Sequence, residues 1–327
     1  MKRILTGLQP SGELTIGSLI GAIEQMKINQ DNYESFLFVA DLHAITVPQD
    51  PQLLRERVKK NVALYIASGI DPKKNIIYIQ SDNLYHANLA WILECNTYMG
   101  EASRMTQFKD KSSKYQNIPV GLFTYPILMA ADIILYDADF VPTGVDQKQH
   151  VELAKDIAVR FNNRYGKTFN LPESLIPKSG AKIMDLQDPS KKMSKSSENN
   201  KGIIFMLEEE KSIRKKIMSA VTESENKVYY DPENKPGISN LLSIYASFKK
   251  ITVEEAEKHF KDYNYGNLKK EVADAVVETL LKIQEKYYKL IDSEELDKIL
   301  DEGQKKTTEL AKRKFEEVAH KVGIGRY

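Results

Sequence analysis

The alternation of short apolar runs with helical patterns in the first half of the chain constrains the fold more than any other sequence feature. Arg3–Leu8 and residues 35–40 and 75–80 are apolar runs of strand length, and helical spacing occupies residues 16–28 and 51–68 between them. Strands that alternate with helices are typical of a parallel sheet with crossover helices, so the sequence predicts an α/β fold. The pattern continues with predicted helices at 86–98, 119–131 and 146–162 and a short predicted strand at 139–142.

The second part of the chain has no predicted strand after about residue 188. Helical patterns occupy residues 238–248, 253–260, 268–291 and 293–322. The polar, basic and turn-rich segment 185–200 lies at the change, and we predict a mobile loop there. We therefore expect an α/β domain at residues 1–188 and a smaller all-helical domain at residues 189–292, with the last helix, about 293–327, able to pack back on the first domain.

The charge balance and the single cysteine narrow the class of protein. The 327 residues carry 47 Lys and Arg against 46 Asp and Glu, a net charge of +1, which excludes a protein held on nucleic acid by bulk charge alone. Cys95 is the only cysteine, so no intrachain disulfide can form and a reducing compartment is expected. No apolar run is long enough to span a bilayer, and the amino terminus does not resemble a signal peptide. We expect a soluble cytoplasmic protein.

Several motifs of cofactor and covalent chemistry are missing. The sequence has no G-x-G-x-x-G fingerprint for a dinucleotide and no G-x-S-x-G nucleophile elbow, and Phe161 stands where a Walker loop needs its first glycine. One cysteine and five scattered histidines cannot form a zinc cluster. An enzyme with this sequence would therefore use no dinucleotide, no protein-bound zinc and no covalent nucleophile.

The corner after the first predicted strand is a candidate phosphate site. Residues 9–12, Gln-Pro-Ser-Gly, precede Thr15-Ile16-Gly17-Ser18 at the start of a predicted helix. The carboxyl end of a first strand is a common ligand position in α/β sheets, and a helix start offers free N–H groups to a phosphate. An ordinary strand–turn–helix corner would use the same residues, so this motif alone does not decide.

A second candidate lies in the predicted loop between the domains. Lys192-Met193-Ser194-Lys195-Ser196 places two lysines and two serines within five residues. Such a cluster can bind a polyphosphate and stabilise the charge that develops on a departing pyrophosphate. A solvated basic loop is the ordinary explanation of a lone cluster, but this one occurs together with the corner at residues 9–18.

Together the two segments resemble the HIGH and KMSKS signature motifs of the class I aminoacyl-tRNA synthetases. Residues 192–196 match the second motif word for word, and residues 15–18 match the first loosely because neither histidine is present. This weakened form, preceded by residues 9–12, is similar to the bacterial-type tryptophanyl-tRNA synthetase family. The further agreeing segments are 41–46, 104–108, 125–133, 144–150 and 235–242, so the resemblance covers nearly the whole chain.

The resemblance implies a Rossmann-like catalytic domain and a two-step reaction. An amino-acid carboxylate attacks the α-phosphorus of ATP, and the aminoacyl group then passes to the 3′ end of a tRNA. This chemistry needs positioning and charge stabilisation rather than a protein nucleophile. The implied catalytic residues are Lys192 and Lys195, and Mg²⁺ accompanies ATP. The implied ATP-binding residues are Gln9, Pro10, Ser11, Gly17, Ser18, Gly144, Val145, Asp146, Ile183, Lys192, Met193, Ser194, Lys195 and Ser196.

Asp132 is the most informative candidate for amino-acid selection. It follows an apolar stretch of a predicted helix, where a carboxylate is a satisfied buried acid, a helix-end contact or a ligand for a substrate donor. An indole offers one N–H donor and no acceptor, which suits a buried carboxylate. The resemblance implies that Asp132 binds this nitrogen. The other implied tryptophan-binding residues are Tyr125 and Gln147 for the amino group, Met129 and Val141 against the ring, and His43 nearby.

The resemblance also implies a tryptophan-specific tRNA, bound through its anticodon by the helical domain, and a homodimer. The basic residues at 211–216 fit a tRNA contact or a solvated helix face equally well. Three alternatives stay open. One is a tyrosyl-tRNA synthetase, which shares the architecture. An aspartate also binds a phenol, so Asp132 alone does not decide between the two amino acids. A nucleotidyltransferase of the same fold and a non-catalytic tRNA-binding protein are the others.

Overall fold

A parallel five-stranded sheet organises the molecule. The computed structural model describes residues 1–10, 12–112, 116–144, 147–176, 182–193 and 200–326. The strands lie in the order β3-β2-β1-β4-β5 and every pair is parallel. Strand β1 is therefore central, with β2 and β3 on one side and β4 and β5 on the other. The strands are β1 (Arg3–Leu8), β2 (Glu34–Val39), β3 (Asn75–Ile79), β4 (Phe140–Pro142) and β5 (Glu173–Leu175). This doubly wound order confirms the α/β, Rossmann-like prediction and creates a switch point between β1 and β4.

Strand β5 was missed by the sequence analysis, for a physical reason. It has only three residues, all exposed or half-buried, so no apolar run marks it. Its pairing with β4 joins Phe140 to Glu173 and Pro142 to Leu175. A short edge strand of this kind is specified by its neighbour and leaves no local pattern.

The helices of the first part largely follow the predicted positions. After α1 (Ile16–Ser18) the chain passes through a π-helical turn, Leu19–Ile23, before α2, so the predicted helix at 16–28 is nearly continuous. Asp50 caps the next long helix by accepting a hydrogen bond from the backbone N–H of Leu53 at 2.8 Å. The remaining helices are α2 (Glu24–Asn29), α3 (Asp41–Ala44), α4 (Pro51–Ala67), α5 (Tyr85–Glu94), α6 (Met99–Ala102), α7 (Thr106–Ser112), α8 (Val120–Ile134) and α9 (Lys148–Tyr165).

Two predicted helix boundaries were wrong. The helix predicted to reach residue 98 ends at Glu94, because Asn96 Nδ2 and Thr97 Oγ1 donate to the carbonyls of Ile92 and Leu93, both at 2.8 Å. Side chains that bond to the last turn compete with further helix. The helix predicted at 146–162 begins at Lys148 and continues to Tyr165, and residue 146 lies outside the described residues.

The second part of the chain is helical, as predicted. Helix α10 was not among the predicted helices, and its nine residues form only about two turns. The helices are α10 (Glu210–Met218), α11 (Pro236–Lys249), α12 (Val253–Phe260), α13 (Tyr265–Leu290) and α14 (Glu294–Val322). In the segment predicted to be a loop, residues 182–193 form a hairpin in which the Met193 N–H donates to the Ile183 carbonyl at 2.9 Å.

Each face of the sheet packs in its own apolar core. In one cluster, residues of α2, α4 and α10 to α13 pack together with Leu37, Val39 and Ile77 of the sheet. The other joins α5, α8 and α9 to Leu5 and Phe36.

Helix α14 covers the edge strand β3. A Cβ on Gly303 would clash with the carbonyl oxygen of Ile77, so only glycine allows this close approach. Gln304 Nε2 also donates to the carbonyl of Asp82 at 3.0 Å. Within the described part of the chain, no helix combines the length and the apolar character that a membrane crossing requires.

Candidate active site

A cavity of about 290 Å³ lies where β1, β2 and β4 end. This is the side of a parallel sheet on which ligands bind, next to the switch point. The sequence-predicted residues that line it are Gln9, His43, Tyr125, Met129, Asp132, Val141, Gly144 and Gln147. The fold thus brings all six predicted tryptophan-binding residues to one cavity, together with two of the predicted ATP-binding residues.

Helix α8 presents three of these side chains on one face. Tyr125, Met129 and Asp132 follow the spacing i, i+4, i+7, which aligns side chains along a helix. His43 comes from α3, directly after β2, and Val141 from β4. The cavity therefore has one wall from a helix and another from strand ends.

The carboxylate of Asp132 is almost completely buried and receives three side-chain donors. Oδ1 lies 2.7 Å from Gln80 Nε2 and 2.7 Å from His86 Nδ1. Oδ2 lies 2.7 Å from His43 Nε2. Gln80 and His86 were not predicted, although a histidine on the apolar face of α5 was a local signal for the second of them.

These contacts keep Asp132 ionised. Burial by itself raises the pKa of Asp132, but the hydrogen bonds and charges of His43 and His86 outweigh it and hold the pKa below its ordinary value. An ionised carboxylate is an acceptor only, with about four lone-pair sites on its two oxygens. Three described donors leave one site, on Oδ2, beside His43.

Tyr125 supplies a hydroxyl that is hydrogen-bonded to a buried histidine. Its OH lies 3.1 Å from Nε2 of the fully buried His150. Burial raises the pKa of Tyr125 to about 12, so the phenol keeps its proton at neutral pH. Its ring meets the ring of His43 edge-on at 6.3 Å between centroids.

The corner after β1 is held by a capping box. Thr15 Oγ1 accepts from the Ser18 backbone N–H, and Ser18 Oγ accepts from the Thr15 backbone N–H, both at 3.3 Å. The Ser18 hydroxyl predicted to contact ATP therefore caps α1 in this structure. Gln9 is exposed and donates to the His43 carbonyl at 3.1 Å, and Pro10 is buried.

The two signature segments meet in space. A Cβ on Gly17 would lie 3.8 Å from the Met193 carbonyl oxygen and 3.9 Å from Ile183 Cβ. Ile183 and Met193 have buried side chains, whereas the Lys192 side chain is exposed. Ser11, Val145, Asp146, Ser194, Lys195 and Ser196 were also predicted to be site residues and lie outside the described residues.

Known proteins resemble this chain over its whole length. Residues 1–281 match the family described as tRNA synthetases class I (W and Y). A tryptophan--tRNA ligase of Oceanobacillus iheyensis is 52% identical over 326 residues, which is 100% of both chains. The structure of a tryptophanyl-tRNA synthetase from Mycoplasma pneumoniae superposes with a TM-score of 0.88 at 37% identity and covers 99% of this chain and 98% of that one. One from Campylobacter jejuni, complexed with ADP and tryptophan, has a TM-score of 0.86 at 37% identity, covering 98% and 100%.

Proposed function

The chain belongs to the tRNA synthetases class I (W and Y), and we infer that its reaction is the two-step, ATP-dependent ligation of L-tryptophan to tRNA. In the first step a tryptophan carboxylate oxygen attacks the α-phosphorus of ATP, and the bond to the β-phosphate breaks. The products are tryptophanyl-adenylate and pyrophosphate. In the second step a 3′-terminal ribose hydroxyl of the tRNA attacks the carbonyl carbon and AMP leaves.

The observation that carries the choice of amino acid is the buried acceptor Asp132 in the cavity. We propose that the indole N–H binds Oδ2, which keeps a free lone-pair site beside His43. Met129 and Val141 then lie against the ring, and Tyr125 and Gln147 bind the amino group. Tyrosine is the alternative amino acid, because a phenol also donates to a carboxylate. The curated relatives of comparable identity are tryptophan--tRNA ligases, which favours the indole.

We propose that ATP lies across the two signature segments. Gln9, Pro10, Gly17, Gly144 and the backbone of Ile183 and Met193 line its path, and the contact between Gly17 and Met193 supports this placement. Asp146 and Gly144 would hold the ribose. Ser18 would contribute only after leaving its cap on Thr15, or through a bridging water.

Charge stabilisation on pyrophosphate is assigned to Lys192 and Lys195, with Ser194 and Ser196 as further hydrogen-bond donors and ATP bound as its Mg²⁺ complex. Fixed cations next to a leaving phosphate act by preorganised electrostatics. Ser11 and Val145 complete the proposed ATP set. The exposed side chain of Lys192 is consistent with a group that closes on its substrate.

We propose that the chain works as a homodimer in the cytoplasm. Five large apolar side chains on helices α5, α6 and α8, or next to the first residues of these helices, are exposed, and we assign them to one apolar face. Its members are between 65% and 75% exposed: Leu84, Trp91, Tyr98, Met99 and Val120. Large exposed apolar groups on neighbouring elements mark interaction sites, and a second copy of this chain is the occupant that we assign.

We also propose that the catalytic domain ends at residue 188 and that the helical part contacts the tRNA. On α10, Arg214 pairs with Glu210 and Asp274, and Lys216 pairs with Glu208. Lys211 and Lys215 are the exposed cations of this helix, and we assign the phosphate contact to them.

Amino-acid-dependent exchange of pyrophosphate into ATP, without tRNA, tests the reaction. We expect exchange with tryptophan and only residual exchange with tyrosine or phenylalanine. Lys195→Ala should lower the rate by about 10²–10³-fold, the cost of removing one fixed transition-state donor. Exchange with tyrosine alone would move the protein to the tyrosine enzymes, and no exchange with any amino acid would overturn the proposal.

A further inference from the structure

Asp132 is the end of a buried chain of polar side chains that runs away from the cavity. Its Oδ1 contacts His86 Nδ1 at 2.7 Å, His86 Nε2 lies 2.9 Å from the Tyr136 hydroxyl, and that hydroxyl lies 2.9 Å from Asn83 Nδ2. His86, Tyr136 and Asn83 are all at most 1% exposed. None of them lines the cavity, so none of them touches a substrate there.

The direction of hydrogen bonding is fixed at the far end of this chain. Asn83 Oδ1 accepts from the Tyr85 backbone N–H at 3.2 Å, so the amide nitrogen is the group that faces Tyr136. An amide nitrogen only donates, and the Tyr136 oxygen therefore accepts from Asn83. Burial raises the pKa of Tyr136 above its ordinary value, which keeps the phenol protonated and leaves its O–H to donate onward.

The direction is also fixed at the cavity end. The ionised Asp132 only accepts, so His86 carries a hydrogen on Nδ1. The Tyr136 oxygen lies 2.9 Å from the other ring nitrogen, Nε2. His86 therefore donates to Asp132 through Nδ1 and is held at Nε2 by Tyr136, which Asn83 holds in turn.

Gln80 donates a second hydrogen bond to the same oxygen, Asp132 Oδ1. Its Oε1 accepts from the Leu42 backbone N–H at 3.2 Å, which directs its Nε2 to Asp132 Oδ1 at 2.7 Å. Two donors with fixed orientation therefore occupy Oδ1. The carboxylate cannot rotate without losing both of them, and Oδ2 is the oxygen left to face the cavity.

We propose that Asn83, Tyr136 and His86 are positioning residues for amino-acid selection, which hold Asp132 as a fixed acceptor with Oδ2 presented to the indole N–H. This inference rests on the proposed function of Asp132. It assigns part of the discrimination against ligands without a ring donor to side chains that never touch the ligand. A site whose acceptor is fixed in place loses most when the ligand cannot donate to it.

The variant Tyr136→Phe tests this series of hydrogen bonds with the smallest change in structure. Its activity is measured by steady-state pyrophosphate exchange. Removing the hydroxyl leaves a buried ring nitrogen without its donor, and we expect the KM for tryptophan to rise about tenfold with kcat within about twofold. Phenylalanine makes no bond to Asp132, so its residual kcat/KM should not fall in parallel. The matched control is Tyr245→Phe, which removes a buried hydroxyl that donates to Glu271 at 2.9 Å in the helical part and should leave both constants unchanged.

Two further observations separate positioning from simple stability. Long-range ¹⁵N–¹H NMR of the histidine rings should show a proton on His86 Nδ1 in the wild type, and the Nε2 resonance should shift in Tyr136→Phe because that nitrogen loses its hydrogen-bond partner. His86→Asn keeps a donor near Oδ1 whereas His86→Leu does not, so the KM for tryptophan should rise less in the Asn variant than in the Leu variant.

The possible outcomes are distinct. If the wild type exchanges with tryptophan but Tyr136→Phe has unchanged KM, or His86 carries no proton on Nδ1, the positioning proposal is overturned and the proposed function stands. If the wild type shows no tryptophan-dependent exchange, the proposed function itself fails. A rise in KM in Tyr136→Phe, together with a proton on His86 Nδ1 in the wild type, supports the proposal.

Discussion

His43 Nε2 lies 2.7 Å from Asp132 Oδ2, the carboxylate oxygen that we assign to the substrate indole. His43 comes from the end of β2 and Asp132 from α8, so the contact joins the strand side and the helix side of the cavity. The hydrogen bond from His43 occupies one lone pair of Oδ2 in the structure without ligand and leaves one lone-pair site on that oxygen. The cavity is therefore prepared for a single N–H donor.

Asp132→Asn should abolish tryptophan selection. The amide would place a donor against the donors of Gln80, His86 or His43, and it would offer only one acceptor oxygen. We expect kcat/KM for tryptophan in pyrophosphate exchange to fall by about 10²-fold or more, the loss typical of a buried, charge-assisted hydrogen bond. Asp139→Asn, at the opposite end of the sheet next to Arg3, is the control and should keep activity. Equal activity of Asp132→Asn and wild type would contradict the assignment.

His43→Asn should move the acid limb of the pH profile upward. The Asp132 pKa is lowered in the folded protein, so this carboxylate contributes stability and binding above its unfolded pKa of about 4 and loses both as the pH falls through the folded pKa. Burial alone raises this pKa, and removing His43 removes part of what offsets burial. Profiles of log kcat/KM for tryptophan, extended below pH 4 as far as the wild type stays folded, check the shift. A limb that stays in place, or moves to lower pH, would argue against His43 as the stabilising partner.

Gly303→Ala should destabilise the fold without touching the site. A Cβ there meets the Ile77 carbonyl, a backbone atom that cannot move aside, and overpacking of this kind costs about 1–3 kcal/mol. Urea denaturation should show that loss in the free energy of unfolding. Gly21→Ala, where a Cβ meets no atom within 4 Å, is the matched control and should be neutral or slightly stabilising.

Trp91→Asp should shift the chain from dimer to monomer. A charge within the apolar face on α5, α6 and α8 would be buried without a partner at a dimer interface, which is strongly unfavourable. Sedimentation velocity at several concentrations measures the distribution. Tyr288→Asp, equally exposed but on α13, is the control and should sediment like the wild type. A wild type that is monomeric at all concentrations would overturn the dimer proposal.

The tryptophan fluorescence of the wild type gives a second test of whether this apolar face forms the dimer interface. Trp91 is the only tryptophan of the chain and is 67% exposed in the single copy. Burial in a dimer would shift its emission to shorter wavelength, and dilution through the dissociation range should reverse that shift. An emission maximum independent of concentration, in a protein that sedimentation shows to dissociate, would place the interface elsewhere.

Local patterns were sufficient wherever the physical cause is local. The apolar run at residues 3–8 and the helical spacing at residues 51–68 predicted β1 and α4, because such patterns arise from forces that act within a few residues. The end of α5 was not predicted, since Asn96 and Thr97 bond back to its last turn only once the helix exists. Strand β5 was missed because its stability comes from pairing with β4.

The sequence by itself determined the parallel sheet with its helical second part, the two signature segments and the family, and it pointed to Asp132 as the carboxylate that we propose for amino-acid selection. Only the tertiary structure decided how that carboxylate is held. Gln80 and His86 are 52 and 46 residues from Asp132 along the chain, and their hydrogen bonds exist because the fold brings the residue after β3 and the start of α5 to α8. Periodicity reports which face of an element is buried, whereas the partner of a buried polar group depends on the path of the whole chain.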